Sequence, residues 1–375
     1  MHEFKSNLPP PVVDVAQTQT LVPLKDMAAP YVEVLLASAR TEYVFAGQPV
    51  FTRGQVDNRH LYLLYGEVSL EDAEGEQEAI KGSKSLLPLA HYQPRQHTAR
   101  ALTDCAILSL DSSQLDKLLT WSQVTDYLHS VIARERDMDE DVEWMMTVLH
   151  SNLFFKVPPL NVEKIFAHMQ TQTVNAGDVI LRQGELGDRC YFIKEGWAEV
   201  TRQSHQGQEL LATIGPGRCF GEDALVNEAP RNATVTMTEN GVLMVLPKQG
   251  FYQLLKAPPI ATISLKNLFF PPEEEVLIDV RSDEEYAAGH LPGAANIPLH
   301  LLGIKSRLLG LTISYILYCN TGLRSSAATH LLTEQGFKVR CLGGTRELFS
   351  GVNSPVALQK HSNYVLRSGV AVLGQ

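Results

Sequence analysis

A chain of 375 residues, 44% of them hydrophobic, is too long for one ordinary core and predicts two or three domains. Its formal charge of −10 argues against a general nucleic-acid or anionic-membrane binder, since either needs a basic field to offset phosphate. The five cysteines, Cys105, Cys190, Cys219, Cys319 and Cys341, show neither paired metal-ligand spacing nor a C-x-x-C, so no metal site and no disulfide framework is expected.

In chain order, the opening MHEFKSNLPPPVVD has prolines and acids where a signal peptide needs a cationic start and an apolar run, which points to a cytoplasmic protein. Residues 43–70 then match residues 173–200 without a gap: Ala46-Gly47 falls on Ala176-Gly177, Gly54 on Gly184 and Gly66 on Gly196. Glycines recurring between short alternating apolar runs read as turns between strands, so both segments are expected to be small all-β units of one design. Farther on, Pro94-Arg95 corresponds to Pro230-Arg231, but the offset has grown from 130 to 136 residues, so the first copy is about six residues shorter between these anchors. Between the copies, residues 112–169 have helical periodicity, with the charge run 134–141 as a solvated face.

After residue 255, KAPPIATISLKNLFFPPEEE reads as a linker from its two proline pairs and acidic run. Apolar strand candidates follow at 276–280, 313–318 and 338–342, alternating with helix candidates at 283–288 and 325–335, the pattern of a parallel α/β sheet. The most apolar region, 299–318, is interrupted by His300, Lys305 and Arg307 and is not a membrane span.

Cys319 directly follows the second of those strands. Ser325 or Ser326 can cap the helix after it, and Gly336 ends that helix. The thiol is thereby placed at the carboxyl end of a sheet, where open α/β folds bind ligands, and helix-start N–H groups with the Arg324 guanidinium should favour its anion. Cys319 is therefore the candidate nucleophile. The segment DVRSDEEYAAGHLPGAANIP (279–298), with YCNTGLRSSAATHLLTEQGF and LGG after it, resembles a single-domain rhodanese over about 100 residues. That resemblance implies a cysteine that takes a sulfane sulfur from a donor such as thiosulfate, holds it as a persulfide and passes it to a thiol acceptor. By position Cys319 carries the sulfur, and Asn320, Thr321, Gly322, Leu323 and Arg324 form a cradle of N–H groups. Asp279 and Arg281 support the site from behind. A cysteine phosphatase or arsenate-type enzyme would have five residues between Cys and Arg, and here four intervene. The tryptophan common after the double glycine in that family is absent from LGGTRELF. His290 is expected to shape a turn, and Cys341 is a candidate resolving thiol.

In the second copy, FGEDALVNEAPRNATV (220–235) has parts suited to a cyclic phosphodiester: Gly221 lets the backbone approach a sugar, Glu222 can accept from a ribose hydroxyl, and Arg231 can pair with phosphate oxygens. The set resembles the phosphate-binding cassette of cyclic-nucleotide-binding domains, a jelly-roll family. Carried over by position, the ligand residues are Gly221, Glu222, Asp223, Ala224, Arg231, Asn232 and Ala233, with Val200 and Leu211 toward the base. The alternative for this site is an empty pocket in which Glu222 and Arg231 pair with each other. Asp223 stands where the family usually has an apolar residue, and Asn232 chooses between neither cAMP nor cGMP. In the first copy Leu86 falls opposite Glu222, so only Arg95 remains and the copy is expected to pack or dimerise without binding nucleotide.

The expected architecture is multidomain. It comprises a degenerate cyclic-nucleotide-binding-like jelly roll (1–111), a helical connector (112–140), a cyclic-nucleotide-binding jelly roll (141–255), a linker (256–271) and a C-terminal α/β parallel-sheet rhodanese-like domain (272–375). The expected activity is a sulfurtransferase that needs no cofactor for catalysis and is regulated by cAMP or cGMP, with a small-molecule or protein sulfur donor and a thiol acceptor as partners. No DNA or membrane partner is expected, and a homodimer stays open. The alternative is a cyclic-nucleotide sensor or scaffold with an inactive rhodanese domain; a transcription factor is disfavoured because no basic helix pair follows the β unit.

Overall fold

The computed structural model describes residues 13, 15–84, 86–135, 140–149, 157–205, 207–223, 229–265, 275–343, 345, 356–360 and 362–374. The first β unit is built from β1 (Arg40–Val44), β2 (Pro49–Phe51), β3 (Arg59–Tyr65), β4 (Glu67–Glu71), β5 (Gln77–Lys81), β6 (Thr98–Ala101) and β7 (Cys105–Asp111). They form two sheets, in the orders β1-β7-β3 and β2-β6-β4-β5, with every pair antiparallel. The second unit has β8 (Gln170–Val174), β9 (Val179–Leu181), β10 (Arg189–Glu195), β11 (Ala198–Ser204), β12 (Gly207–Ile214), β13 (Cys219–Phe220), β14 (Thr234–Met237) and β15 (Gly241–Pro247). Its sheets, β13-β10-β15-β8 and β12-β11-β14-β9, repeat the same pairings and add β13 at one edge.

The repeat seen in the sequence is thus a repeat of packing. Phe51, Leu61, Leu63 and Val68 fill the first core, and Leu181, Tyr191, Ile193 and Ala198, each 130 positions later, fill the second. Gly66 and Gly196 turn the chain between the two sheets at φ +92° and +88°. A Cβ at either would meet a backbone carbonyl, Asp104 O at 2.5 Å or Asn240 O at 2.9 Å, so glycine is required at both for space as well as dihedral.

Two helices, Ser112–Glu135 and Glu140–Leu149, follow the first unit, and short 3-10 turns at Pro159–Lys164 and Phe166–His168 lead into the second. The C-terminal sheet contains β16 (Thr262–Ser264), β17 (Glu275–Asp279), β18 (Ala295–Asn296), β19 (Ser314–Tyr318), β20 (Lys338–Gly343), β21 (Tyr364–Arg367) and β22 (Val370–Leu373), in the order β16-β20-β19-β17-β18-β21-β22. It is parallel except for the β21-β22 hairpin. The stretch read as a linker therefore carries an edge strand, β16, whose T-I-S is too short to show a period beside two proline pairs.

The chain forms two compact units that do not follow sequence order. One joins the segment up to Gln123 to the segment from Ile260 onward; the other is Val124–Pro259. Within the first, Tyr92 of the β unit packs against a core of Leu265, Leu277, Leu291, Ile316, Tyr318 and Leu342 in the C-terminal layer, and Lys25 pairs with Glu284. Among the described residues, no helix is long and apolar enough to cross a membrane.

Candidate functional site

Cys319 sits immediately after β19, at the carboxyl end of the parallel sheet, and the next helix begins at Leu323. Contrary to the expected serine cap, Gly322 is the N-cap, at φ +93°, and no side chain caps this end. The left-handed turn brings the loop back over the sulfur, which is why glycine wins over serine there. Ser325 lies instead in the first helical turn, and its hydroxyl bonds Gly322 O at 3.3 Å.

The Gly322 N–H donates to Cys319 Sγ at 3.2 Å and the Ser325 N–H at 3.4 Å, with Ser325 Oγ also 3.4 Å from the sulfur. Two main-chain donors therefore aim at one sulfur atom, the arrangement that stabilises negative charge there. Of the cradle predicted over residues 320–324, only Gly322 contributes such a bond, and Ser325 lies outside that span. Cys319 is fully buried. Ser325 Oγ is also 3.3 Å from Cys341 Sγ, so one hydroxyl stands between the two thiols.

Arg324 corrects a further expectation. Its Nη1 and Nη2 go to Glu285 Oε2 at 2.6 Å and Oε1 at 2.8 Å, a buried bidentate pair, so these donors are not turned on the sulfur. Burial alone would raise the Glu285 pKa, but Arg324 holds it far below the usual carboxylate range. Glu285 also accepts from the Ser282 N–H, as half of a capping box on the helix Asp283–Ala288, and from Asn320 Nδ2 at 3.0 Å. It was missed in the sequence reading, although Ser282-x-x-Glu285 is the spacing of that box.

Asp279 and Arg281 form a second buried ion pair, 2.6 Å at its closest. Burial opposes the Arg281 charge and Asp279 outweighs it, holding the guanidinium well above its ordinary pKa. Arg281 Nη1 donates to Asn320 Oδ1 at 3.0 Å and to the hydroxyl of Tyr92 at 3.3 Å, while Nη2 reaches Gly289 O. Asn320 is thus held by both pairs, and Thr321 follows it at the surface of the loop. His290 is buried, bonded through Nδ1 to Tyr286 O at 3.0 Å and stacked on the Tyr286 ring, as a turn-shaping residue would be.

In the second β unit, Arg231 is 5% exposed. It donates through Nη1 to Gly221 O at 2.6 Å and through Nη2 to Arg189 O at 2.7 Å, so the alternative pairing with Glu222 is absent among the described residues. Gly221 has φ +82°, and a Cβ there would lie 2.8 Å from Arg231 Nη1, so the glycine makes room for the guanidinium. Burial raises the Glu222 pKa, and Cys219 Sγ lies 3.8 Å from its Oε2. Asn232 Nδ2 donates to Asp223 Oδ2 at 3.4 Å, which keeps that carboxylate on an exposed amide. Ala233 is buried, Val200 packs on the core and Leu211 is exposed. Ala224 lies outside the described residues.

In the first copy the corresponding arginine has an internal carboxylate partner. Arg95 Nη2 reaches Arg59 O at 2.8 Å, the same contact as Arg231 with Arg189 O, but it also pairs with Asp57 Oδ1 at 2.9 Å. Its Nη1 is taken by Leu89 O and Ala90 O. In the second copy Gly187 stands where Asp57 would fall, and among the described residues Arg231 has no carboxylate partner. Leu86, opposite Glu222, is 53% exposed.

A family model described as the cyclic nucleotide-binding domain matches residues 41–120 and 171–257, and one described as the rhodanese-like domain matches 264–349. The chain joins two cyclic nucleotide-binding domains to a rhodanese-like domain. A cAMP-dependent protein kinase regulatory subunit of Yarrowia lipolytica is 28% identical over 59% of this chain and 55% of its own length. The cyclic AMP receptor protein of Thermus thermophilus is 30% identical over 36% of this chain and 64% of its own. The crystal structure of the Thermus thermophilus catabolite activator protein is 30% identical, covers 28% of this chain and 50% of that one, and has a TM-score of 0.26. The chain spans about half the length of the curated kinase regulatory subunits that it matches. The cassette arginine belongs to the second cyclic nucleotide-binding domain, and Cys319 to the rhodanese-like domain.

Proposed function

We propose that the chain is a cytoplasmic sulfurtransferase that carries a sulfane sulfur on Cys319 and takes cAMP or cGMP as a regulatory ligand in its second jelly roll. The observation that carries the sulfur step is the pair of N–H groups, from Gly322 and Ser325, directed at Cys319 Sγ. The Cys319 thiolate attacks the outer sulfur of a donor R–S–SH; the donor S–S bond breaks, R–S⁻ leaves and Cys319–S–SH forms. An acceptor thiolate then attacks that outer sulfur, releasing Cys319 as thiolate and the acceptor as persulfide. No external oxidant, metal or cofactor is needed. Phosphatase chemistry is disfavoured, because the Arg324 nitrogens that would clamp a phosphate are engaged by Glu285.

The nucleotide reading rests on Arg231, a buried cation with no carboxylate partner among the described residues. A ligand that shifts sulfur transfer must bind two states unequally, and the sulfur donor must then change nucleotide affinity by the same factor.

A second reading, a nucleotide-responsive scaffold with a silent rhodanese-like domain, draws on the complete burial of Cys319. Mass spectrometry after exposure to a sulfane-sulfur donor separates the two. One added sulfur on the Cys319 peptide, absent in Cys319→Ser, is expected; an unmodified wild type leaves the scaffold reading. Thermal-shift titration with cAMP and cGMP on wild type and Arg231→Ala tests the ligand, since a native-state ligand raises Tm.

A further inference from the structure

The shortened first copy reaches the C-terminal layer. In sequence, residues 91–93 align with residues 227–229 of the second copy, at the offset that aligns Arg95 with Arg231. In the first copy this segment turns onto the C-terminal layer: the Tyr92 ring joins its core, and the Tyr92 hydroxyl accepts from the same Arg281 nitrogen that holds Asn320. Between the two layers lies a cavity of about 130 Å³, with Asn320 and Thr321 on one side and His60, His91, Tyr92 and Gln93 on the other. The space is wide enough for a small solute to enter.

Its charge is equally selective. Among the described residues no lysine or arginine lines the cavity, and Asp116 adds an acidic side chain. Burial pushes the His91 imidazole down to about 4 and that of His60 well below its ordinary value, so both are neutral at pH 7. Arg281, beneath Tyr92, is already balanced by Asp279. Such a lining repels a doubly charged oxyanion and tolerates an uncharged solute.

We infer that this cavity is the site through which a small uncharged thiol or its persulfide reaches Cys319, and that His91 and Tyr92 of the first jelly roll are its specificity-determining wall. The inference rests on the sulfur-transfer reading and names the substrate class for it. It makes thiosulfate a poor donor and gives the degenerate jelly roll a role in the chemistry of the C-terminal layer. Asn320 and Thr321, which line the cavity, directly follow Cys319, so the cavity borders the loop that holds the sulfur.

The test uses the full chain and two alkylating probes of nearly equal size, neutral iodoacetamide and anionic iodoacetate, with the Cys319 peptide followed by mass spectrometry and free cysteine as reference. Iodoacetamide is expected to be favoured by roughly tenfold or more over the reference ratio. His91→Lys should bring the ratio back toward that of free cysteine. Val56→Lys, at a position that lines the cavity and is 71% exposed, should do the same without touching the core. A reference-like ratio in wild type, a ratio unmoved by both substitutions, or a Cys319 inert to both probes overturns the inference. These outcomes are independent of persulfide formation, so a wild type that takes no sulfur refutes the sulfur-transfer reading alone. Where persulfide does form, 2-mercaptoethanol should discharge it and glutathione should not. Equal discharge by both refutes the selection for an uncharged thiol.

Discussion

Placing an aspartate at Gly187 should convert the second jelly roll into a copy of the first. Asp57 pairs with Arg95 at 2.9 Å, and Gly187 occupies the matching position beside Arg231, whose contact with Arg189 O reproduces that of Arg95 with Arg59 O. Gly187 is not among the glycines held in the left-handed region, so an aspartate there meets no left-handed strain. Gly187→Asp would thus give Arg231 an internal partner and withdraw it from a phosphate. Hydrogen bonds to charged groups contribute about 1.5–3 kcal/mol each, so losing one weakens cAMP or cGMP roughly ten- to 150-fold. The unliganded variant should be as stable as wild type or more so, because a buried cation gains a counterion. Isothermal titration supplies the affinities and a thermal melt without ligand supplies the control. Unchanged nucleotide affinity in a folded Gly187→Asp protein would refute the argument that the missing carboxylate is what keeps Arg231 available.

Glu285→Gln should leave the Arg324 guanidinium buried without its counterion and cost about 3–5 kcal/mol in denaturant unfolding; a loss below about 1 kcal/mol would show that the pair is not structural. His91 gives a pH signature. Its folded pKa, about 4, lies below the unfolded value of about 6.5, so its contribution is intact above pH 6.5 and is lost as the pH falls toward 4. Tm should fall over that window, and more steeply in wild type than in His91→Gln; parallel profiles would count against a buried neutral imidazole. Asp57→Gly in the first copy should not create a nucleotide site, since Leu86 stands in place of Glu222; a cAMP-dependent rise in Tm that survives Arg231→Ala would contradict this.

The repeat and the sulfur loop were legible in the sequence because both are local. Paired glycines at 66 and 196 mark turns that nothing else can make, and a cysteine between an apolar strand and a helix has one place to sit. What could not be read is where the charged side chains point. Arg324, with four residues between it and Cys319, looks like a partner for sulfur until Glu285 is brought across from another helix. The same limit hid Tyr92: no local pattern tells that a tyrosine beside a degenerate cassette will reach Arg281, 189 residues away. The serine cap failed for a different reason. Propensity favours serine at a helix start, but the closure of the loop on Cys319 needs the dihedral that only glycine adopts freely, at Gly322.

The discontinuous compact unit sets an order of assembly. Val124–Pro259 leaves the ribosome as one stretch, whereas the first jelly roll must wait for chain synthesised after Ile260 before the apolar ring of Tyr92 finds its cover. Expression of the leading segment alone would present that ring and the neighbouring imidazoles to solvent, a surface that invites self-association until the last hundred or so residues arrive.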